Sequence, residues 1–169
     1  MQYIQTKRTW ILSTKEYDIT DDNERKLGIC QRYYNSNFQK IFSYIEKRDG
    51  YLNYKISTEH EYKIEQDKKG GLLDKTKWSI YKNGEKIGSL QYKFDLSREK
   101  MILNILDKEY LLDSSIISNK VLLKEIKDDS NFSLQFYVHD LVYRRMIIDK
   151  MIDDWEIYYL AFLVFDNYN

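Results

Sequence analysis

The sequence predicts a mainly β fold, a closed antiparallel wall of strands around a hydrophobic C-terminal α-helix. Three observations carry that expectation. Short alternating apolar and polar segments, separated by Asn, Asp, Gly and Lys, fill residues 1–138. Asn83-Gly84 stands between two β-favouring runs, the signature of a tight hairpin. Trp155 to Phe165 is apolar apart from Glu156, and a helix without a polar face has to be surrounded by protein or by lipid.

With 169 residues, 43% of them hydrophobic and 32% charged, the chain suits one domain spanning residues 1–169 with a substantial core. From the N-terminus, Tyr17–Thr20 and Arg25–Tyr34 form a hairpin around Asp21-Asp22-Asn23-Glu24, and strands follow at Phe38–Glu46, Tyr51–Thr58 and Glu61–Gln66. Trp78–Leu90 folds on Asn83-Gly84, two residues that tolerate the positive φ of a type I′ turn. That turn sets Ile80 opposite Ile87 and Lys82 opposite Glu85. Leu90 and Tyr92 then fall on the opposite parity to Ile87, which predicts a bulge near Gly88 or burial on both faces. Met101–Leu106, Glu109–Asp113, Val121–Ile126 and Phe132–Val138 complete the strands. Arg48-Asp49-Gly50, Lys68-Lys69-Gly70-Gly71 and Leu106-Asp107-Lys108-Glu109 serve as turns.

Residues 140–166 read as helical, with Asp140 as N-cap and Leu141, Val142, Tyr143, Met146, Ile147, Ile148, Met151 and Ile152 at helical spacing. At ~1.5 Å per residue, Trp155 to Phe165 spans about 16 Å, short of the ~20 residues that cross a bilayer, so no transmembrane segment is expected. A surrounding wall of strands satisfies this helix, with glycines where strand and helix backbones approach.

A weak repeat appears at an offset of 60 positions. Lys26-Leu27-Gly28-Ile29-Cys30-Gln31 matches Lys86-Ile87-Gly88-Ser89-Leu90-Gln91 as Lys, aliphatic, Gly, two variable positions and Gln, with an Asn three residues before each. The duplicated turn and strand, the run Arg32-Tyr33-Tyr34, the Trp78 to Gly88 hairpin and the apolar C-terminal helix together resemble the bacterial tubby C-terminal-like proteins, relatives of the LURP-one and phospholipid scramblase families. The resemblance implies a closed antiparallel barrel of about twelve strands around a central hydrophobic helix. Eukaryotic tubby domains bind phosphoinositides through basic surface side chains, so it also implies a binding role.

The charges exclude some functions. Lys and Arg number 27 against 27 Asp and Glu, which removes the surplus a general nucleic-acid binder needs. The charge is unevenly divided, with 24 basic and 19 acidic residues up to position 127 and 3 against 8 beyond it. Cys30 is the single cysteine and the N-terminus has no secretory apolar run, so a reduced, cytoplasmic protein is expected. His60 and His139, the two imidazoles, have no metal-ligand spacing, and Gly-x-Ser-x-Gly is absent. No metal, no cofactor and no enzymatic chemistry are therefore expected.

Two surfaces remain. Arg32, Lys40 and Lys86 interleave with Tyr33 and Tyr81 in or beside the repeated hairpins, a mixture that can take an anionic lipid headgroup or an acidic protein surface and that also describes an ordinary barrel exterior. Asp149, Asp153 and Glu156 fall at intervals of four and three, as on one helix face. They suit a basic partner, and equally a solvated first helical turn. The expected function is a non-enzymatic cytoplasmic binding protein that engages a membrane lipid headgroup or a protein through its barrel surface, with peripheral membrane contact. The alternative is a protein–protein inhibitor of the immunity or anti-defence type using the acidic surface.

Overall fold

The computed structural model describes residues 2–7, 12–46, 50–68, 76–93, 100–114, 120–126, 133–137, 143–148 and 152–168. Twelve strands form the wall: β1 (Gln2–Lys7), β2 (Glu16–Thr20), β3 (Lys26–Tyr33), β4 (Asn53–Ser57), β5 (Glu61–Lys68), β6 (Lys77–Lys82), β7 (Glu85–Lys93), β8 (Lys100–Ile105), β9 (Lys108–Ser114), β10 (Lys120–Glu125), β11 (Ser133–Tyr137) and β12 (Tyr143–Ile148). Each pairs antiparallel with its sequence neighbours, and β12 returns to β1 to close the barrel. Helix α1 (Asn37–Glu46) interrupts the strands between β3 and β4, and α2 (Trp155–Tyr168) ends the chain.

The barrel encloses α2. Eleven of its fourteen residues are buried, and Phe162 stacks on Phe136 of the wall with ring centres 4.5 Å apart. Both ends of α2 are tied to the wall. At its start, Asp154 accepts hydrogen bonds from Lys82 Nζ at 2.6 Å and Tyr62 Oη at 2.5 Å, and buried Glu156 accepts from Thr58 Oγ1 at 2.7 Å. At its end, Arg144 of β12 donates to Asp166 and Asn167, and Tyr159 Oη donates to the Arg144 carbonyl.

The expected fold class holds, with three local corrections. Phe38–Glu46 is helix and not strand, because Ser36 Oγ accepts from the Gln39 amide and Gln39 Oε1 accepts from the Asn35 amide, a capping arrangement that starts α1. Residues 143–148 of the expected 140–166 helix are strand. Arg144, Met146 and Ile148 are buried while Tyr143, Arg145 and Ile147 are half-buried, a period of two, and pairing with β1 on one side and β11 on the other fixes them in the wall. The apolar run Met146-Ile147-Ile148 fits either period, so spacing alone misassigned it. Asp140, proposed as N-cap, lies outside the described residues, as do 48–49 and 69–71 of the expected turns.

The third correction concerns the hairpin of β6 and β7. Asn83 (φ 51°) and Gly84 (φ 86°) form the expected turn and Lys82 faces Glu85, but Ile80 faces Gly88. Ile87 is the extra residue of a bulge. The repeat has the same geometry in its other copy, where Thr20 faces Lys26, Ile19 faces Gly28 and Leu27 is unopposed. A left-handed residue precedes each Lys by two positions, Glu24 (φ 61°) in one copy and Gly84 in the other. The glycines do not mark contacts with the helix. A Cβ on Gly88 would stand 2.4 Å from the Asn104 carbonyl oxygen of β8, and one on Gly28 would stand 2.7 Å from the Ser57 carbonyl oxygen of β4. Each glycine lets the bulged strand approach its neighbour.

Candidate functional site

Alternation along β3 turns Gly28, Cys30 and Arg32 inward, each buried. Burial pushes the Cys30 thiol up to about 12, so it does not offer a thiolate. Arg32 and Arg144 are both buried arginines of the wall, 2% and 4% exposed, yet their surroundings differ. Arg144 has a buried carboxylate partner in Asp166, with side chains 5% and 3% exposed. Arg32 makes one hydrogen bond, from Nη2 to the Tyr51 carbonyl at 2.5 Å, and its guanidinium lies 5.1 Å from the centre of the Tyr34 ring. Arg32 Nε, Arg32 Nη1 and Tyr34 Oη are buried without a hydrogen-bond partner among the described residues. Orphaned donors of this kind are rare in folded proteins and call for an explanation such as a missing water or ion.

Arg32 and Tyr34 also contribute to an outer groove of about 510 Å³ between the end of β3 and the first turn of α1, whose other lining residues include Tyr33, Ser36, Asn37 and Lys40. Ser36 caps the Gln39 amide, while the earliest amides of a helix have no partner within it and form the positive end of its dipole. Asn37 and Phe38 stand at that position. Tyr33 Oη donates to Glu65 Oε1 at 2.6 Å, and burial together with this bond pushes its phenol well above the ordinary tyrosine value. The groove thus combines a buried cation, an exposed lysine and a helix N-terminus, a set that favours an anion.

A second groove, about 550 Å³, follows the short seam between β1 and β2, where only Gln5 and Thr6 pair across to Thr20 and Ile19. Its charges are of both signs, and Lys26 already meets Asp18 at 2.6 Å. It offers no comparable unmet charge.

Of the residues singled out in the sequence, the structure gathers Arg32, Tyr33 and Lys40 at one groove. Arg32 is beneath the surface and not on the barrel exterior. Tyr81 and Lys86 face each other across the β6–β7 ladder, three and four strands round the wall from β3, and stand outside the groove. The acidic trio does not form a helix face. Asp149 lies outside the described residues, Asp153 is exposed in the turn before α2, and Glu156 is buried against Thr58. Sequence reading missed Ser36 and Asn37, for which the pattern Ser36-x-x-Gln39 was the available signal.

Residues 3–83, from β1 to the turn after β6, match the family model of the Tubby C-terminal like domain. The match covers 81 of the 169 residues, and over that stretch the chain is similar to this family. No curated protein and no solved structure matches it. The matched part contains every residue of the groove and the whole of α1. Among the described residues, no helix is long and apolar enough to cross a membrane.

Proposed function

We propose that this protein, similar over residues 3–83 to the tubby C-terminal-like domain, is a non-enzymatic binding protein that takes a phosphate-bearing anion, the headgroup of an anionic phospholipid, in the groove between β3 and α1. The observation that supports this reading is Arg32, a buried cation beside a helix N-terminus with two unpartnered nitrogens and no carboxylate partner among the described residues. A phosphate satisfies several donors at once, which a chloride or a lone carbonyl does not. Lys40 adds a mobile charge at the opening. The acidic-surface reading has no assembled face to support it, since Glu156 is consumed by Thr58.

The test is sedimentation with vesicles of phosphatidylcholine alone and of phosphatidylcholine with phosphatidylserine. Binding is expected for the anionic vesicles and is expected to fall roughly tenfold or more in Arg32→Met with Lys40→Glu, as loss of charge-assisted hydrogen bonds of ~1.5–3 kcal/mol implies. Lys86→Glu is expected to bind as the parent does. Equal binding to both vesicle types, or loss in Lys86→Glu alone, would overturn the proposal.

A further inference from the structure

Helix α1 is mounted on the barrel with its polar side inward. Ser43 is fully buried and its Oγ accepts from the Tyr51 amide at 2.8 Å, while Gln39 Oε1 accepts from the Asn53 side chain at 2.9 Å. Gly50 fixes this seating, since a Cβ there would stand 2.7 Å from the Ser43 Cβ. Phe42 fills the border, 5.9 Å from both the Phe38 and the Tyr51 ring centres. The opposite face carries Phe38, Ile41, Tyr44 and Ile45, which are 66%, 60%, 51% and 71% exposed. At 100° per residue these four occupy one continuous arc, and Lys40 stands at its edge. A helix on a water-soluble domain normally presents the reverse arrangement.

We infer that α1 is an interfacial anchor whose Phe38, Ile41, Tyr44 and Ile45 face enters the headgroup–acyl boundary of an anionic bilayer. The inference rests on the headgroup reading of the groove and assigns the surface that brings the groove to its ligand. Charge and position select a bilayer over a protein as the occupant. The unmet cation of Arg32, the Lys40 side chain and the N-terminus of α1 lie beside the apolar face. A phospholipid surface presents the complement in the same order, an anionic layer directly above an apolar one. Ten residues of helix extend about 15 Å, enough to lie in the plane of the interface and too little to span it. Tyr44 and Lys40 keep their polar ends at headgroup level while their stems cover apolar surface.

The experiment compares the parent protein with Ile41→Ser/Ile45→Ser, two exposed positions whose change leaves the barrel core untouched. Sedimentation with phosphatidylcholine–phosphatidylserine vesicles reads anchoring, and the shift in melting temperature on adding glycerol 3-phosphate reads the groove alone. The double variant is expected to keep the parent's glycerol 3-phosphate shift and to lose about tenfold or more of its vesicle binding. In Phe38→Trp, vesicles with brominated acyl chains are expected to quench fluorescence beyond the level seen in the parent. If the double variant binds vesicles like the parent, the anchor inference falls and the headgroup reading stands. If the parent binds neither glycerol 3-phosphate nor anionic vesicles, both fall. If the substitutions instead convert a dimer to a monomer without changing vesicle binding, the face is a self-interface and the inference is overturned.

Discussion

Replacing Arg32 by Met tests whether this arginine is kept for binding or for folding. In the unliganded protein the change removes two buried, unpartnered nitrogens, worth a relief of ~1–3 kcal/mol each. Against that stand the hydrogen bond to the Tyr51 carbonyl, ~1.5–3 kcal/mol for a charged donor plus ~1–3 kcal/mol for the carbonyl left unpaired. The contact with Tyr34 adds ~0.5–2 kcal/mol. Taken at their midpoints the two sides come to ~4 and ~5.5 kcal/mol, so Arg32→Met should cost about 1.5 kcal/mol. Arg144→Met is the contrast, because it strands the buried Asp166 carboxylate and should cost ~3–5 kcal/mol. Urea unfolding in phosphate-free buffer measures both. A ligand present at a hundred times its dissociation constant stabilises by ~2.7 kcal/mol, which for a domain of this size raises the melting temperature by about 5–11 °C. Glycerol 3-phosphate should produce that rise in the parent and none in Arg32→Met. If Arg32→Met is as damaging as Arg144→Met, or if the ligand shift survives in it, the assignment of Arg32 to an anion is refuted.

Three further outcomes follow from the fold. Gly88→Ala drives a Cβ toward the Asn104 carbonyl and should lower stability by ~1–3 kcal/mol in urea titration, and an unchanged midpoint would mean that the bulge yields freely. Leu160→Asp places an unpaired carboxylate at a fully buried position of α2 and should leave no folded soluble protein; a soluble variant with the parent's melting temperature would place α2 outside the barrel. Asp154 is held below its ordinary value of 3.8 because hydrogen bonds and charge from Lys82, with the Tyr62 hydroxyl, outweigh the opposing desolvation. A depressed folded pKa stabilises above the unfolded value and is lost as pH falls through the folded one. Asp154→Asn should therefore flatten the acid limb of a stability profile below about pH 4, and because Asn tolerates the left-handed backbone at this position (φ 54°) the substitution leaves the turn intact.

The sequence revealed the strand pattern and the enclosed helix because both depend on local signals. Asn83-Gly84 specified its turn, and the apolar circumference of Trp155–Phe165 required a surround. It misled where two periods coincide. Met146-Ile147-Ile148 is apolar at every position, so only pairing with β1 and β11 decides that it is wall. The Ile80–Ile87 pair failed for a different reason, since the bulge that Gly88 permits displaces Ile87 by one position. For the site, Arg32, Tyr33 and Lys40 were legible as a basic and aromatic cluster, but the burial of Arg32 was not. That depends on the parity of Cys30 and Arg32 along β3. Reading Phe38–Glu46 as strand also dispersed Phe38, Ile41, Tyr44 and Ile45 over two faces, which hid the patch that a helix brings together.

The enclosed helix also constrains where any ligand can bind. A closed barrel of twelve strands is wide enough to hold a cavity, and small-molecule sites commonly occupy such interiors. Here α2 fills the space, with Leu160, Phe162 and Val164 fully buried and Phe162 stacked against the wall at Phe136. The grooves described above both lie on the outer surface. In one of them Lys26 meets Asp18 across the β2–β3 ladder, and the other is lined in part by a buried arginine that has no carboxylate acceptor among the described residues. With α2 filling the interior, the groove that sets Lys40 and the N-terminus of α1 beside an apolar helix face is the outer surface that the vesicle measurements address.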